Sequence, residues 1–130
     1  MNISVQDVTF TYRSTPTLKN VTLTLKESEV LGMVGPNGSG KTTLLKCLNK
    51  ILEPKQGTIL LGEQAIKKMS RLEVAKHVGY VPQNSVANPE LLPVFEIVLM
   101  GRRPHISWQS SEKDAEKVWE ALKMLNIEHL

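Results

Sequence analysis

Residues 35–43 read Gly-Pro-Asn-Gly-Ser-Gly-Lys-Thr-Thr. Few nine-residue stretches restrict a fold as tightly. Glycines at this density let the main chain curl until several N–H groups point inward, an arrangement that suits a bound anion. The pattern needs a Gly, four free positions, then Gly-Lys-Ser/Thr, and Gly35, Gly40, Lys41 and Thr42 meet it without a substitution. The flanks have the required order. Residues 30–34, Val-Leu-Gly-Met-Val, form an apolar run without alternation, which predicts a strand buried on both faces. Leu44, Leu45 and Leu48 then recur at helical spacing. They predict a helix over residues 42–50 whose N-terminal partial positive charge faces the loop. Strand, glycine loop and helix together specify a parallel α/β unit.

The chemistry follows from the donors. The loop of Gly35, Pro36, Asn37, Gly38, Ser39, Gly40 and Thr43 would cradle a polyphosphate with its main-chain N–H groups, Pro36 having none and only shaping the turn, and Lys41 offers a mobile cation to its β/γ oxygens. Thr42 offers a hydroxyl to the Mg²⁺ that travels with a nucleotide. The implied ligand is a nucleoside triphosphate.

Around this unit the chain divides in character. Ile3, Val5, Val8 and Phe10 alternate in part and predict an extended segment, and residues 12–16, Tyr-Arg-Ser-Thr-Pro, read as a turn. Val21, Leu23 and Leu25 alternate with polar residues, as in a half-buried strand. Residues 58–61 read as a further strand, and residues 78–81, Val-Gly-Tyr-Val, as another ending at Pro82. Ser70-Arg71-Leu72-Glu73 is a capping-box pattern that predicts a helix from Arg71 to His77. The second half turns helical over residues 94–102. After Pro104, a helix capped by Ser111-Glu112-Lys113-Asp114 places Ala115, Val118, Leu122 and Leu125 on one face.

Bulk properties exclude several classes. One domain accommodates 130 residues. The net charge of +3 is spread without a basic tract, which gives no support to a nucleic-acid partner. Cys47 is the single cysteine, so neither a disulfide framework nor a cysteine metal cluster is available, and its leucine neighbours predict a small buried side chain. No secretory leader is legible at the N-terminus. The most apolar segment, residues 91–100, holds Pro93 and Glu96 and is too short to span a bilayer.

A phosphate loop alone fits many nucleotide hydrolases. Three further features narrow it: Tyr12 after the Val8-Thr9-Phe10 segment, Gln83 after Gly79-Tyr80-Val81-Pro82, and the stretch Val98-Leu99-Met100-Gly101-Arg102-Arg103-Pro104-His105. Together they resemble the ATP-binding subunit of an ABC transporter over essentially the whole chain. The last stretch resembles importers of iron chelates, haem and cobalamin. The resemblance implies an α/β phosphate-loop core of the ABC type with an N-terminal antiparallel β subdomain and the start of a helical subdomain. Residues 1–83 would form the ATP-binding core and residues 84–130 the start of the helical part. It implies that Tyr12 stacks on adenine, that Gln83 and Thr42 reach Mg²⁺, and that residues 102–105 help meet a membrane subunit. The implied partners are transmembrane permease subunits and a second ATP-binding subunit in a head-to-tail homodimer. The implied location is cytoplasmic, peripheral on the inner face of the membrane.

Departures from the family pattern are equally informative. There is no Leu-Ser-Gly-Gly-Gln-type signature and no aliphatic run ending in Asp-Glu, so no catalytic residue is identifiable and a general base is expected beyond Leu130. The chain reads as the N-terminal, truncated portion of a longer nucleotide-binding domain. The intact protein would be an ATPase coupled to transport, and this stretch alone inactive or nearly so. An ABC-type ATPase acting on ribosomes or DNA would share Tyr12, the loop and Gln83, as would a non-hydrolysing ATP-binding fragment. The basic corner at residues 102–105 favours the transporter. A GTPase is disfavoured because no Asn-Lys-x-Asp element is present.

Overall fold

The computed structural model describes residues 1–83 and 92–129, in two compact units, Met1–Tyr80 and Val81–Leu130. The expected start of a helical subdomain at residue 84 and the end point Leu130 lie outside the described residues.

The alternating N-terminal segments of the first unit pair as a hairpin. β1 (Ile3–Tyr12) runs antiparallel to β2 (Thr15–Leu25), with the turn expected near residues 12–16 centred on Arg13 and Ser14. β3 (Gln56–Leu61) adds to the other edge of β1, and short β4 (Gln64–Ala65) completes the antiparallel order β2-β1-β3-β4. α1 (Lys41–Leu48) packs its Leu44 and Cys47 into a core with Val5, Val8, Phe10, Leu18, Ile59 and Leu61. Each such apolar side chain contributes about 1.5–3 kcal/mol on leaving water. Burial also pushes the Cys47 thiol up to about 11, so it stays a protonated packing group.

The hairpin is not regular. Val5 and Val8 are three residues apart, so an even pleat would turn them to opposite faces, yet both are fully buried. An extra residue in β1 between them restores the face, and Asp7 takes it with φ +49°. β2 compensates between Val21 and Leu18, where Asn20 has φ +47°. A third shift falls between Phe10 and Thr11, where β2 again carries the extra residue. Side chains lock the first two bulges. Asp7 N–H donates to Thr22 Oγ1 at 3.0 Å and Asn20 N–H donates to Thr9 Oγ1 at 3.1 Å. On the far side Gly57 lies opposite the first bulge with φ +87°, and a Cβ there would sit 2.5 Å from both Asp7 O and Gln6 O.

After α1 the chain turns through Lys50 at φ +54°, with Lys50 N–H on Cys47 O and Ile51 N–H on Lys46 O. That pattern usually falls to Gly. Here the Lys50 side chain is buried, and its ammonium donates to Lys67 O and Met69 O. The second carbonyl follows a 3₁₀ turn (Ile66–Lys68), so Lys50 ties the end of α1 to it. α2 (Arg71–His77) forms where the capping box predicts, with Ser70 and Glu73 exchanging both bonds.

Two expected strands do not form among the described residues. Residues 30–34 carry no ladder, and Val30 and Val34 are 99% and 98% exposed. Residues 78–81 are likewise unpaired, with Val81 at 92%. A strand buried on both faces exists only between neighbours that share its hydrogen bonds, and no described strand pairs with either run. The parallel unit inferred around the loop is therefore not seen; the described sheet is antiparallel throughout.

In the second unit, α3 (Val94–Met100) packs on α4 (Glu112–Met124) through Phe95 and Trp119, whose ring centres are 5.4 Å apart. Val118 and Leu122 are buried as the helical spacing predicts, whereas Leu125 is 65% exposed just past the helix end. The cap of α4 works through Asp114. Its Oδ2 accepts from Ser111 N–H and Ser111 Oγ, and its Oδ1 accepts from Arg102 Nε and Nη2. The Ser111 main-chain bond first, then its hydroxyl and Arg102, hold the Asp114 carboxyl below its ordinary 3.8. A carboxyl lowered on folding stabilises fully above its ordinary pKa and loses that contribution as pH falls through the lowered value. Acidification below about pH 4 should therefore fray α4. In Asp114→Asn the loss should already be present at neutral pH and that pH dependence absent, as read by circular dichroism at 222 nm.

Candidate functional site

The glycine loop enters α1 through Gly40, which has φ +93° and no side-chain cap. A Cβ on Gly40 would lie 2.9 Å from Leu18 Cδ2 and 2.9 Å from Thr17 O. Bare backbone at residue 40 thus lets β2 approach the loop closely. Leu44 N–H already bonds Gly40 O at 2.9 Å, and the first-turn amides ahead of it are the free donors every helix start presents.

Lys41 forms no ion pair among the described residues. Its ammonium folds back over the loop and donates to Gly35 O at 2.7 Å, Pro36 O at 2.8 Å and Ser39 Oγ at 3.3 Å. These acceptors are neutral and exposed, so an incoming anion can exchange for them. Ser39 N–H bonds Pro36 O at 3.3 Å and shapes the turn through Asn37 and Gly38, the latter at φ +80°. Thr42 is exposed on the first turn of α1, whereas Thr43 is buried at 7%. Beside the loop is a cleft of about 540 Å³ lined by Leu18, Val21, Leu23, Met33, Val34 and Leu44, with Lys41 and Ser39 at its wall.

Tyr12 ends β1, 44% exposed, its ring 4.8 Å from that of Phe10 and at 78° to it. It pairs with Thr15, two residues before the Thr17 carbonyl that meets Gly40, or about 7 Å along the strand. The hairpin tip carrying Tyr12 and the phosphate loop therefore belong to one neighbourhood. Phe10 is the residue that sequence reasoning took only as part of a strand; its spacing of two from Tyr12 is the legible signal.

Gln83 belongs to the second unit and is exposed. The basic corner at residues 102–105 is smaller than the sequence suggests. Arg102 is committed to Asp114, which leaves Arg103 and His105 exposed around a 3₁₀ turn (Arg103–His105). Beside them lies a cavity of about 200 Å³ lined by Glu96, Leu99, Met100, Arg103, Ile106 and Trp108. Met100 and Trp108 are 61% and 90% exposed there.

Among the described residues no three His, Cys, Asp or Glu side chains gather as a metal-binding set. The single hydroxyl of Thr42 suits a hard cation that draws most of its ligands from water and phosphate oxygens. Nor is any described helix long and apolar enough to cross a membrane.

A family model described as ABC transporter matches residues 18–130. An uncharacterized ABC transporter ATP-binding protein of Methanocaldococcus jannaschii is 49% identical over 98% of this chain and 50% of its own length. The "Probable siderophore transport system ATP-binding protein YusV" of Bacillus subtilis is 36% identical over 98% of this chain and 47% of its own. The hemin import ATP-binding protein HmuV of Gloeobacter violaceus is 38% identical over 87% and 41%. A solved structure described as "An inward-facing conformation of a putative metal-chelate type ABC transporter" aligns with a TM-score of 0.77. It is 31% identical and covers 98% of this chain and 47% of that one. The chain thus spans about half the length of the curated relatives it matches.

Proposed function

The chain belongs to the ABC transporter family, and from that premise we propose that it is part of the ATP-binding subunit of an importer for an iron chelate, haem or cobalamin. The observation that carries the cargo class is the set of relatives named for siderophore and hemin transport, each matched over most of this chain. The geometry supports the ligand. Lys41, held among the described residues by neutral carbonyls and a hydroxyl, swings to the β/γ-phosphates of ATP, and the N–H groups of the loop from Asn37 to Thr43 surround them. Tyr12 offers its exposed face to adenine. Mg²⁺, when bound, would neutralise phosphate charge, and Thr42 is the residue of this unit that would offer it a ligand.

The subunit works on the cytoplasmic face of the membrane as a head-to-tail pair with a second copy, without a nucleic-acid partner. The intact protein hydrolyses ATP and drives permease subunits. The exposed Met100 and Trp108 side chains beside Arg103 in the second unit would be contacts for such a permease.

Deleting the gene should abolish energy-dependent uptake of a ferric siderophore, haem or cobalamin, measured with labelled cargo in whole cells. Undiminished uptake of all three overturns the cargo assignment.

A further inference from the structure

We infer that Phe10 is a positioning residue for the base platform: its ring, brought to the right face by the Asp7 bulge, fixes the plane that Tyr12 presents. The inference rests on the reading that Tyr12 stacks on adenine.

Its basis is parity along β1. Beyond the bulge, Val8, Phe10 and Tyr12 follow at intervals of two along β1. The further register shifts at Val8/Phe10 and Phe10/Thr11 place their extra residues in β2, so the three stay on one face, as the contact of the Phe10 and Tyr12 rings shows. That face belongs to the core containing Leu18 and the Leu44 and Cys47 side chains of α1, the helix that starts at the phosphate loop. An unbulged β1 that buried Val5 would turn Tyr12 to the opposite face, away from α1. The bulge is therefore what puts the aromatic and the loop on the same side. Asp7 and Thr22 hold it from one edge, with Thr22 Oγ1 donating to Asp7 Oδ1 at 3.2 Å, and Gly57 leaves it room on the other.

Along that face the core ends at Phe10, 8% exposed, and Tyr12 stands in solvent beyond it. A solvent-facing tyrosine with no wall would turn about its side-chain torsions, and stacking would have to freeze that motion. The edge-to-face contact at 4.8 Å and 78° supplies the wall, because the positive edge of one ring sits against the face of the other. A platform already in place binds a base at lower entropic cost.

The test compares ATP with inorganic tripolyphosphate by calorimetry on the full-length protein, so that the base increment is read as a ratio of affinities. In the native protein the ratio should be on the order of tenfold or more, and Tyr12→Ala should bring it near one. Phe10→Leu, which keeps apolar volume but removes the wall, should lower the ratio about three- to tenfold and leave tripolyphosphate affinity within about twofold. An unchanged ratio in Phe10→Leu, with Tyr12→Ala collapsing it, overturns the role of Phe10 alone. A ratio that Tyr12→Ala leaves intact overturns the base-stacking reading as well. Equal losses for both ligands in Phe10→Leu mean the ring only fills the core, and that also overturns the inference. Should Phe10→Leu fail to fold, Phe10→Met serves with the same criteria.

Discussion

Lys41→Ala should weaken ATP by on the order of 10²-fold while leaving thermal stability within about 0.5 kcal/mol of the native protein. Both halves follow from the same three bonds. With no anion present the ammonium spends its donors on Gly35 O, Pro36 O and Ser39 Oγ, all in an exposed loop. Bonds of that kind contribute little net, because water replaces them when the side chain is cut back. On binding, the same donors move to phosphate oxygens bearing formal charge, where each is worth about 1.5–3 kcal/mol. The exchange favours the phosphate, and one or two such contacts account for the predicted loss. Titration calorimetry with ATP and with tripolyphosphate should show the same fold-change, since the lysine meets only the phosphate tail. Loss confined to ATP, or a drop in melting temperature matching the loss of binding, would move Lys41 out of this role.

The sequence announced that lysine, and the reason is local. Glycine spacing, the amide cradle and the helix start are all decided within nine residues, so residues 35–43 carry their own context. The caps of α2 and α4 were legible for the same reason: Ser70 with Glu73, and Ser111 with Asp114, act across three residues. Strands fared according to their neighbours. β1, β2 and β3 find partners within the first 61 residues and form. Residues 30–34 and 78–81 have equal intrinsic preference but no described partner, and apolar composition by itself makes no ladder.

Positive φ at non-glycine residues was the least legible feature. Asp7, Asn20 and Lys50 adopt it because tertiary contacts hold them: Thr22, Thr9, and the Lys67 and Met69 carbonyls respectively. Nothing within a few residues of Lys50 marks it as the turn after α1, where glycine is the usual choice. Likewise the alternation of Val5, Val8 and Phe10 breaks by one residue, which a sequence shows as weak periodicity and only the paired strands reveal as a bulge.

Gly57→Ala tests how firmly that bulge is built. Two separate penalties meet at residue 57. The backbone angle of +87° disfavours any L side chain by about 1–2 kcal/mol. The added Cβ would also stand 2.5 Å from Asp7 O and Gln6 O, main-chain atoms that cannot rotate away, and overpacking of this kind costs roughly 1–3 kcal/mol more. Gly62 supplies the control. Its φ is +60°, but a Cβ there would meet nothing nearer than Met1 Cγ at 3.9 Å. Gly62→Ala should therefore carry the angular penalty alone. The expected destabilisations are roughly 2–5 kcal/mol for Gly57→Ala and 1–2 kcal/mol for Gly62→Ala, read from urea midpoints at an unchanged slope. Against a typical total of about 5–15 kcal/mol, the first is large enough to be seen as partial unfolding at ambient temperature. Equal shifts in the two variants would mean that the Gln6–Asp7 backbone gives way at little cost. The bulge would then be a soft joint, too compliant to decide which face of the sheet Tyr12 occupies.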